Sequence, residues 1–225
     1  MYRFATKPFF NQFRLELWAL LKAVLVTTVL AFNCSHVFAQ SADTSTPDGL
    51  IKFVVNDVMN AVRADADIQK GNIPKIITLV EQKILPYSDF HRTTQLAMGR
   101  NWSKATPEQQ AAIVAEFKML LIRTYSGAIS RIRNQTVQFK PFRSAPDDKE
   151  VVVKTVVLDK GDVLQLDYRL MQTPNGWRVY DVNVLGAWLI EAYRNQFTDQ
   201  ISQNGIDGLI KFLKDRNAAL AKPKA

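Results

Sequence analysis

Ser88, Asp89 and His91 are the residue types from which a nucleophile, an orienting carboxylate and a base are drawn. Their closeness argues against that use, because the members of a hydrolytic triad are normally gathered from distant segments. Asp65 with Asp67, and Asp147 with Asp148, offer oxygen to a hard cation, but neither pair has the spaced oxygens and the glycine of a calcium loop. Both pairs read as solvated loop carboxylates. There is no Gly-x-Ser-x-Gly elbow, no glycine-rich phosphate loop and no Cys or His set at metal-ligand spacing. Asp167 and Asp181 remain as carboxylates on predicted strands, where an isomerase or hydrolase would hold a buried titrating acid. Alternation puts Asp167 on the wet face, which weighs against that use.

The start of the chain bears on compartment. Arg3, Lys7, Arg14 and Lys22 precede an apolar run over 23–32, and Val37-Phe38-Ala39 supplies small residues at cleavage spacing, so 1–39 reads as a secretory signal peptide. Glu16 and Lys22 interrupt the longer apolar stretch that a membrane span would need. Cys34 lacks the small neighbour of a lipidated cysteine. Cleavage after Ala39 would remove Cys34 and His36 and lower the net charge from +8 to +5. A chain without a disulfide and with a modest basic excess outside the cytoplasm suits a periplasm, with anionic surfaces or acidic proteins as partners and not nucleic acid.

The 47% hydrophobic composition is enough for a real core, and its elements fall in a clear order. After a spacer over 40–46, a domain spans 47–220, with helical parts at 47–134 and 186–220 and a sheet at 136–185; 221–225 is a frayed tail. Leu50, Ile51, Val54, Val58 and Val62 recur at helical spacing, a second helix starts at Asn72-Ile73-Pro74, and Ser88-Asp89 caps a third that Gly99 closes. Arg100-Asn101-Trp102 follows as a loop. Thr106-Pro107-Glu108-Gln109 is a capping box that opens a long, unusually apolar helix through Phe117, Leu121 and Tyr125. Another helix ends near Gly205 and a last one begins at Asp207. The hexapeptide Asp-Gly-Leu-Ile-Lys-Phe occurs at 48–53 and again at 207–212, and reads as two independently capped helix starts.

Four strands are predicted. Thr136 to Lys140 is the first, and 151–158, rich in β-branched residues, is the second. In the third, Leu164, Leu166, Tyr168 and Leu170 alternate with Gln165, Asp167 and Arg169, the pattern of a half-buried antiparallel strand. Asn175-Gly176 supplies the positive φ angles of a tight turn into the fourth, which begins at Trp177. The apolar side of this meander can meet Phe117, Leu121 and Tyr125. Periodicity allows either a filled core or an apolar cavity between sheet and helices.

Several stretches together resemble the MlaC family of periplasmic phospholipid-binding proteins, also called toluene-tolerance or ABC-transporter auxiliary proteins. They are Arg100-Asn101-Trp102, Ala105-Thr106-Pro107-Glu108-Gln109-Gln110, Arg123-Thr124-Tyr125, the strand from Trp177 to Val184 with Gly186, and Tyr193-Arg194-x-x-Phe197. Trp188 departs from the small polar residue often found there. The resemblance implies an α+β fold, a curled four-stranded antiparallel sheet of the nuclear-transport-factor-2-like class packed on a helical subdomain around an apolar pocket. It also implies a non-enzymatic carrier that needs no cofactor and whose cargo is a glycerophospholipid. Such a carrier shuttles between an outer-membrane lipoprotein–porin complex and an inner-membrane MCE-domain ABC transporter complex, maintaining outer-membrane lipid asymmetry. Phe117, Leu121, Tyr125, Leu166, Tyr168, Leu170, Val182, Val184 and Trp188 are then the expected tail contacts, and Arg100 and Arg194 the expected headgroup or partner contacts. A pocket enzyme on the same fold and a lipid-free adaptor are the alternatives.

Overall fold

Two of the three hairpins in the sheet are closed by consecutive left-handed residues. In the computed structural model, which describes residues 43–222, strands β1 (Thr136–Phe139), β2 (Glu150–Asp159), β3 (Asp162–Thr173), β4 (Gly176–Val184) and β5 (Ala187–Trp188) form one antiparallel sheet in sequence order. Lys160 (φ 48°) and Gly161 (φ 99°) join β2 to β3, and Leu185 (φ 55°) and Gly186 (φ 89°) join β4 to β5, both in the type I′ sense that matches strand twist. Between β3 and β4 the loop is Pro174-Asn175, and only Gly176 (φ 90°) is left-handed, which corrects the expectation for Asn175. The Thr173 hydroxyl holds this turn, accepting from Asn175 N–H at 3.2 Å and donating to Gly176 O at 2.7 Å. β5 makes the strand count five, not four. Its two residues are too short to show alternation, and nothing in the sequence marks Leu185 for a left-handed backbone.

The register sorts side chains into two unlike faces. Leu164, Leu166, Tyr168 and Leu170 stand opposite Val157, Thr155, Val153 and Val151 of β2. On the other side Leu166 pairs with Val184, Tyr168 with Val182 and, past a bulge, Leu170 with Val179, leaving Tyr180 as the extra residue. That face is apolar apart from Thr155 and the Tyr168 hydroxyl. The opposite face carries Lys154, Gln165, Asp167, Arg169, Asp181 and Asn183.

Helix ends are capped as their sequences dictate. In α1 (Pro47–Ala64) the Thr46 side chain accepts from Gly49 N–H, and in α3 (Ile73–Lys83) Asn72 accepts from Lys75 N–H. α4 (Phe90–Met98) is capped by Asp89 and closed by Gly99 (φ 55°). α5 (Pro107–Ile129) has the full Thr106–Gln109 capping box. Three short helical elements were not anticipated, one of them a 3₁₀ turn at Leu85–Tyr87. Asp65 caps the single turn α2 (Ala66–Gln69), and Lys75 bridges Asp65 at 2.9 Å and Asp67 at 2.8 Å, so these carboxylates are engaged and not merely solvated. The stretch expected as a loop at Arg100-Asn101-Trp102 is a 3₁₀ helix, Gly99–Lys104, with Asn101 and Trp102 buried.

α6 (Leu189–Ala221) breaks at Gly205 (φ 70°, ψ −175°). The adjacent α5 residues Glu116 and Phe117 meet Asn217 and Tyr193 respectively, the first through a 2.8 Å hydrogen bond and the second with ring centroids 4.8 Å apart. In a straight helix Tyr193 and Asn217 would lie about 36 Å apart, so α6 folds back on itself as an antiparallel pair of arms. The hexapeptide at 207–212 opens the second arm. A Cβ on Gly208 would sit 2.2 Å from Asn204 Cβ, and one on Gly49, in the other copy, 2.6 Å from the capping Thr46 Oγ1. Both copies therefore use glycine to let the preceding chain close onto the first turn.

Candidate functional site

Among the described residues the buried apolar side chains form three separate clusters, and the candidate site is drawn from the apolar residues outside them. The first joins α4, α5 and α6 through Met98, Trp102, Phe117, Phe197, Leu209 and Leu213. A second, around Val62, Ile76 and Ile122, joins α1 to α3 and α5. The third fastens α1 to the sheet through Leu50, Ile51, Val153 and Leu170. The sheet draws its helical neighbours from α1, α4 and α6, while α5 packs on α3, α4 and α6. Left over are Leu166, Val182 and Val184 on the apolar face of the sheet and Tyr125 on α5. All four are half-buried, and none belongs to any of the three clusters.

This divides the expected tail contacts. Leu166, Val182, Val184 and Tyr125 have partly open apolar surface. Phe117, with no exposed surface, is stacked among Phe90, Tyr193 and Phe197 at centroid distances of 4.8–5.5 Å, and Leu121 packs against the same cluster. Leu170 is equally buried, but beneath α1, and Tyr168 lies beside it. The structure thus does not bring Phe117 and Leu170 to one cavity. Trp188 pairs with Asn183, which places it on the polar face of the sheet, and Arg169 stacks on its ring at 3.8 Å. Arg100 is exposed on the 3₁₀ helix, and Arg194, also exposed, donates to Leu96 O at 3.1 Å.

The polar face holds a cluster that sequence reasoning missed. Asp181, 2% exposed, takes Val182 N–H at 2.9 Å and Ile190 N–H at 3.1 Å on one oxygen, and Arg169 at 3.0 Å on the other. Trp188, at the N-cap of α6, has no capping side chain of its own, so Asp181 supplies that function from the neighbouring strand. Burial raises the Asp181 carboxyl above the ordinary aspartate value, against the pull of the two amides and Arg169. Asp167 is 3% exposed, which corrects its assignment to a wet face; it accepts from Gln165 at 2.6 Å and Thr155 N–H at 3.3 Å. Alternation gave its direction, but not the neighbours that cover it. On the apolar face, burial raises the Tyr168 hydroxyl well above the usual tyrosine value, partly offset by the nearby Thr155 side chain.

A polar recess of about 500 Å³ lies elsewhere, lined by Arg63, Gln69, Arg133 and Asn134. Its arginines bind main-chain carbonyls, Arg63 those of Arg133 and Gln135 and Arg133 those of Ser130, Ile132 and Gln69, and so tie helix ends together. Among the described residues no group of three or more His, Cys, Asp or Glu is placed to hold a metal, and no helix is long and apolar enough to cross a membrane.

The chain matches the family model described as MlaC protein over residues 52–215. It is 25% identical over 190 residues to a toluene tolerance protein, ttg2D, of Pseudomonas putida, covering 84% of this chain and 86% of that one. To the intermembrane phospholipid transport system binding protein MlaC of Haemophilus influenzae it is 21% identical over 204 residues, covering 89% and 92%. A solved structure of a phospholipid-binding protein from Ralstonia solanacearum, in complex with a phospholipid, superposes with a TM-score of 0.76 at 54% identity, covering 78% of this chain and 98% of that one.

Proposed function

We propose, from the premise that this chain belongs to the MlaC family, that it is a carrier that binds one glycerophospholipid with its tails in the seam between the sheet and α5. The observation that carries this reading is the half of the apolar sheet face, at Leu166, Val182 and Val184, that no buried cluster claims. Burial of a methylene is worth about 0.8 kcal/mol, so two acyl chains of around 30 methylenes cost on the order of 20 kcal/mol to expose. A soluble carrier must therefore enclose the tails, and this surface is the unclaimed apolar area available for it. The 54%-identical relative that holds a phospholipid supports the same reading.

Leu166, Val182, Val184 and Tyr125 line the tails in this proposal, with Leu121 and Tyr168 at the margins, and Arg100 is a headgroup or partner contact. Phe117, Leu170, Trp188 and Arg194 support the walls. The carrier acts in the periplasm, taking lipid between an outer-membrane lipoprotein–porin complex and an inner-membrane MCE-domain transporter complex to maintain lipid asymmetry. No bond is made or broken. A pocket enzyme would need a titrating acid on the apolar face, and both strand candidates, Asp167 and Asp181, stand on the other face with their oxygens engaged.

Mass spectrometry of organic extracts from mature protein, purified without detergent, tests the proposal. Phospholipid near one molecule per chain is expected, and a Leu166→Arg variant should fold yet carry at least tenfold less. A wild-type protein that carries none and takes none from vesicles would refute the carrier reading.

A further inference from the structure

The apolar face of the sheet is divided along the row of Tyr168. On one side of it Leu170, at 0% exposure, is sealed under Leu50 and Ile51 of α1, as is Val153 within the row itself, at 1%. On the other side, towards the Lys160-Gly161 turn, Leu166 and Val184 are half-buried and unclaimed. Tyr168 itself pairs with buried Val153 across one edge and half-buried Val182 across the other. Next to it the Thr155 hydroxyl, the other polar group on this face, is turned to the main chain and donates to Leu166 O. The ring, set between Val153 and Val182 and packed against the α1 cluster, is therefore part of a wall.

We propose that Tyr168 is the inner stop of the acyl-chain cleft and sets the longest chain this protein accepts, an inference that rests on the carrier reading above. From Tyr168 to Leu164, the outermost apolar residue of β3 on this face, four strand steps span about 13 Å, the scale of most of an acyl chain lying along the floor. Carbons beyond that length meet the phenol ring and the sealed α1 interface, and must bend back or remain in water. Removing the ring opens the floor towards Leu170. Enlarging Leu166, one row nearer the turn, shortens it.

Four proteins distinguish this: wild type, Tyr168→Ala, Tyr168→Phe and Leu166→Phe. Each is incubated with vesicles containing equal amounts of dipalmitoyl and distearoyl phosphatidylglycerol, re-isolated, and its lipid quantified by mass spectrometry. The two further methylenes of the one acyl chain that reaches the stop are worth on the order of tenfold in affinity. Tyr168→Ala should thus raise the stearoyl-to-palmitoyl ratio by about that factor, Leu166→Phe should lower it, and Tyr168→Phe should leave it unchanged. If Tyr168→Ala does not fold, Leu166→Phe carries the test alone. Variants that load lipid at the wild-type ratio would overturn the stop and leave the carrier standing. A wild type that loads nothing overturns the carrier, and the stop with it.

Discussion

Asp48 and Asp181 titrate in opposite senses, and the difference follows from what surrounds each carboxyl. A hydrogen bond from Lys52 at 2.7 Å holds Asp48 below the ordinary aspartate value, despite partial burial. Its stabilising effect is complete above the unfolded value and is lost as pH falls through the lowered one. Burial raises Asp181, so the folded state binds that proton more tightly than the unfolded chain, and stability from this group is lost as pH rises through the raised value. Urea unfolding from neutral pH down through the carboxylate range should show it. The advantage of wild type over Asp48→Asn, no more than about 0.5 kcal/mol for so exposed a pair, shrinks on acidification. Its advantage over Asp181→Asn grows. Asp181→Ala, which leaves Arg169 and two amides without their acceptor, should cost about 3–5 kcal/mol at neutral pH.

At the scale of elements, the fold-back of α6 depends on two glycines for different reasons. Gly205 has a backbone conformation that a Cβ disfavours, and Gly208 has no room for one beside Asn204. Gly205→Ala and Gly208→Ala should each lower stability by about 1–3 kcal/mol, checked by thermal and urea unfolding, whereas Gly127→Ala, with open space at its Cβ, should not. Elements whose signals are local were legible in the sequence: the capping box at Thr106, the stop at Gly99, the alternation of β3 and the break at Gly205. β5 and α2 were not, because two and four residues carry no periodicity. The candidate site was only half legible for a related reason. The apolar stripe of α5 says that one side is dry, not whether it meets α6, as Phe117 does, or the sheet. Alternation assigned Leu166 to the right face, but Trp188 lies beyond a left-handed turn that returns it to the opposite one.

Taken together, the described residues form two layers, joined beneath α1 and again where the sheet runs into α6. β4 runs through β5 directly into α6, and Asp181 binds the first turn of that helix, while β1 at the far edge of the sheet is reached from α5 through residues 130–135, whose carbonyls at Arg133 and Gln135 accept from Arg63 of α1. In the proposed function the cargo completes the apolar contact between the layers, so its removal loosens the seam and spares the joined edge. Amide hydrogen exchange expresses this at single-residue scale. Amides in the first turn of a helix have no intrahelical acceptor and ordinarily exchange early. The Ile190 amide donates instead to a buried carboxylate, so it should exchange as slowly as the centre of β4 and keep that protection when lipid is stripped, while amides along α5 beside Tyr125 speed up. Asp181→Ala should reverse the order, making Ile190 among the first amides of α6 to exchange. One peptide proton thereby becomes a clock for the joint between the layers.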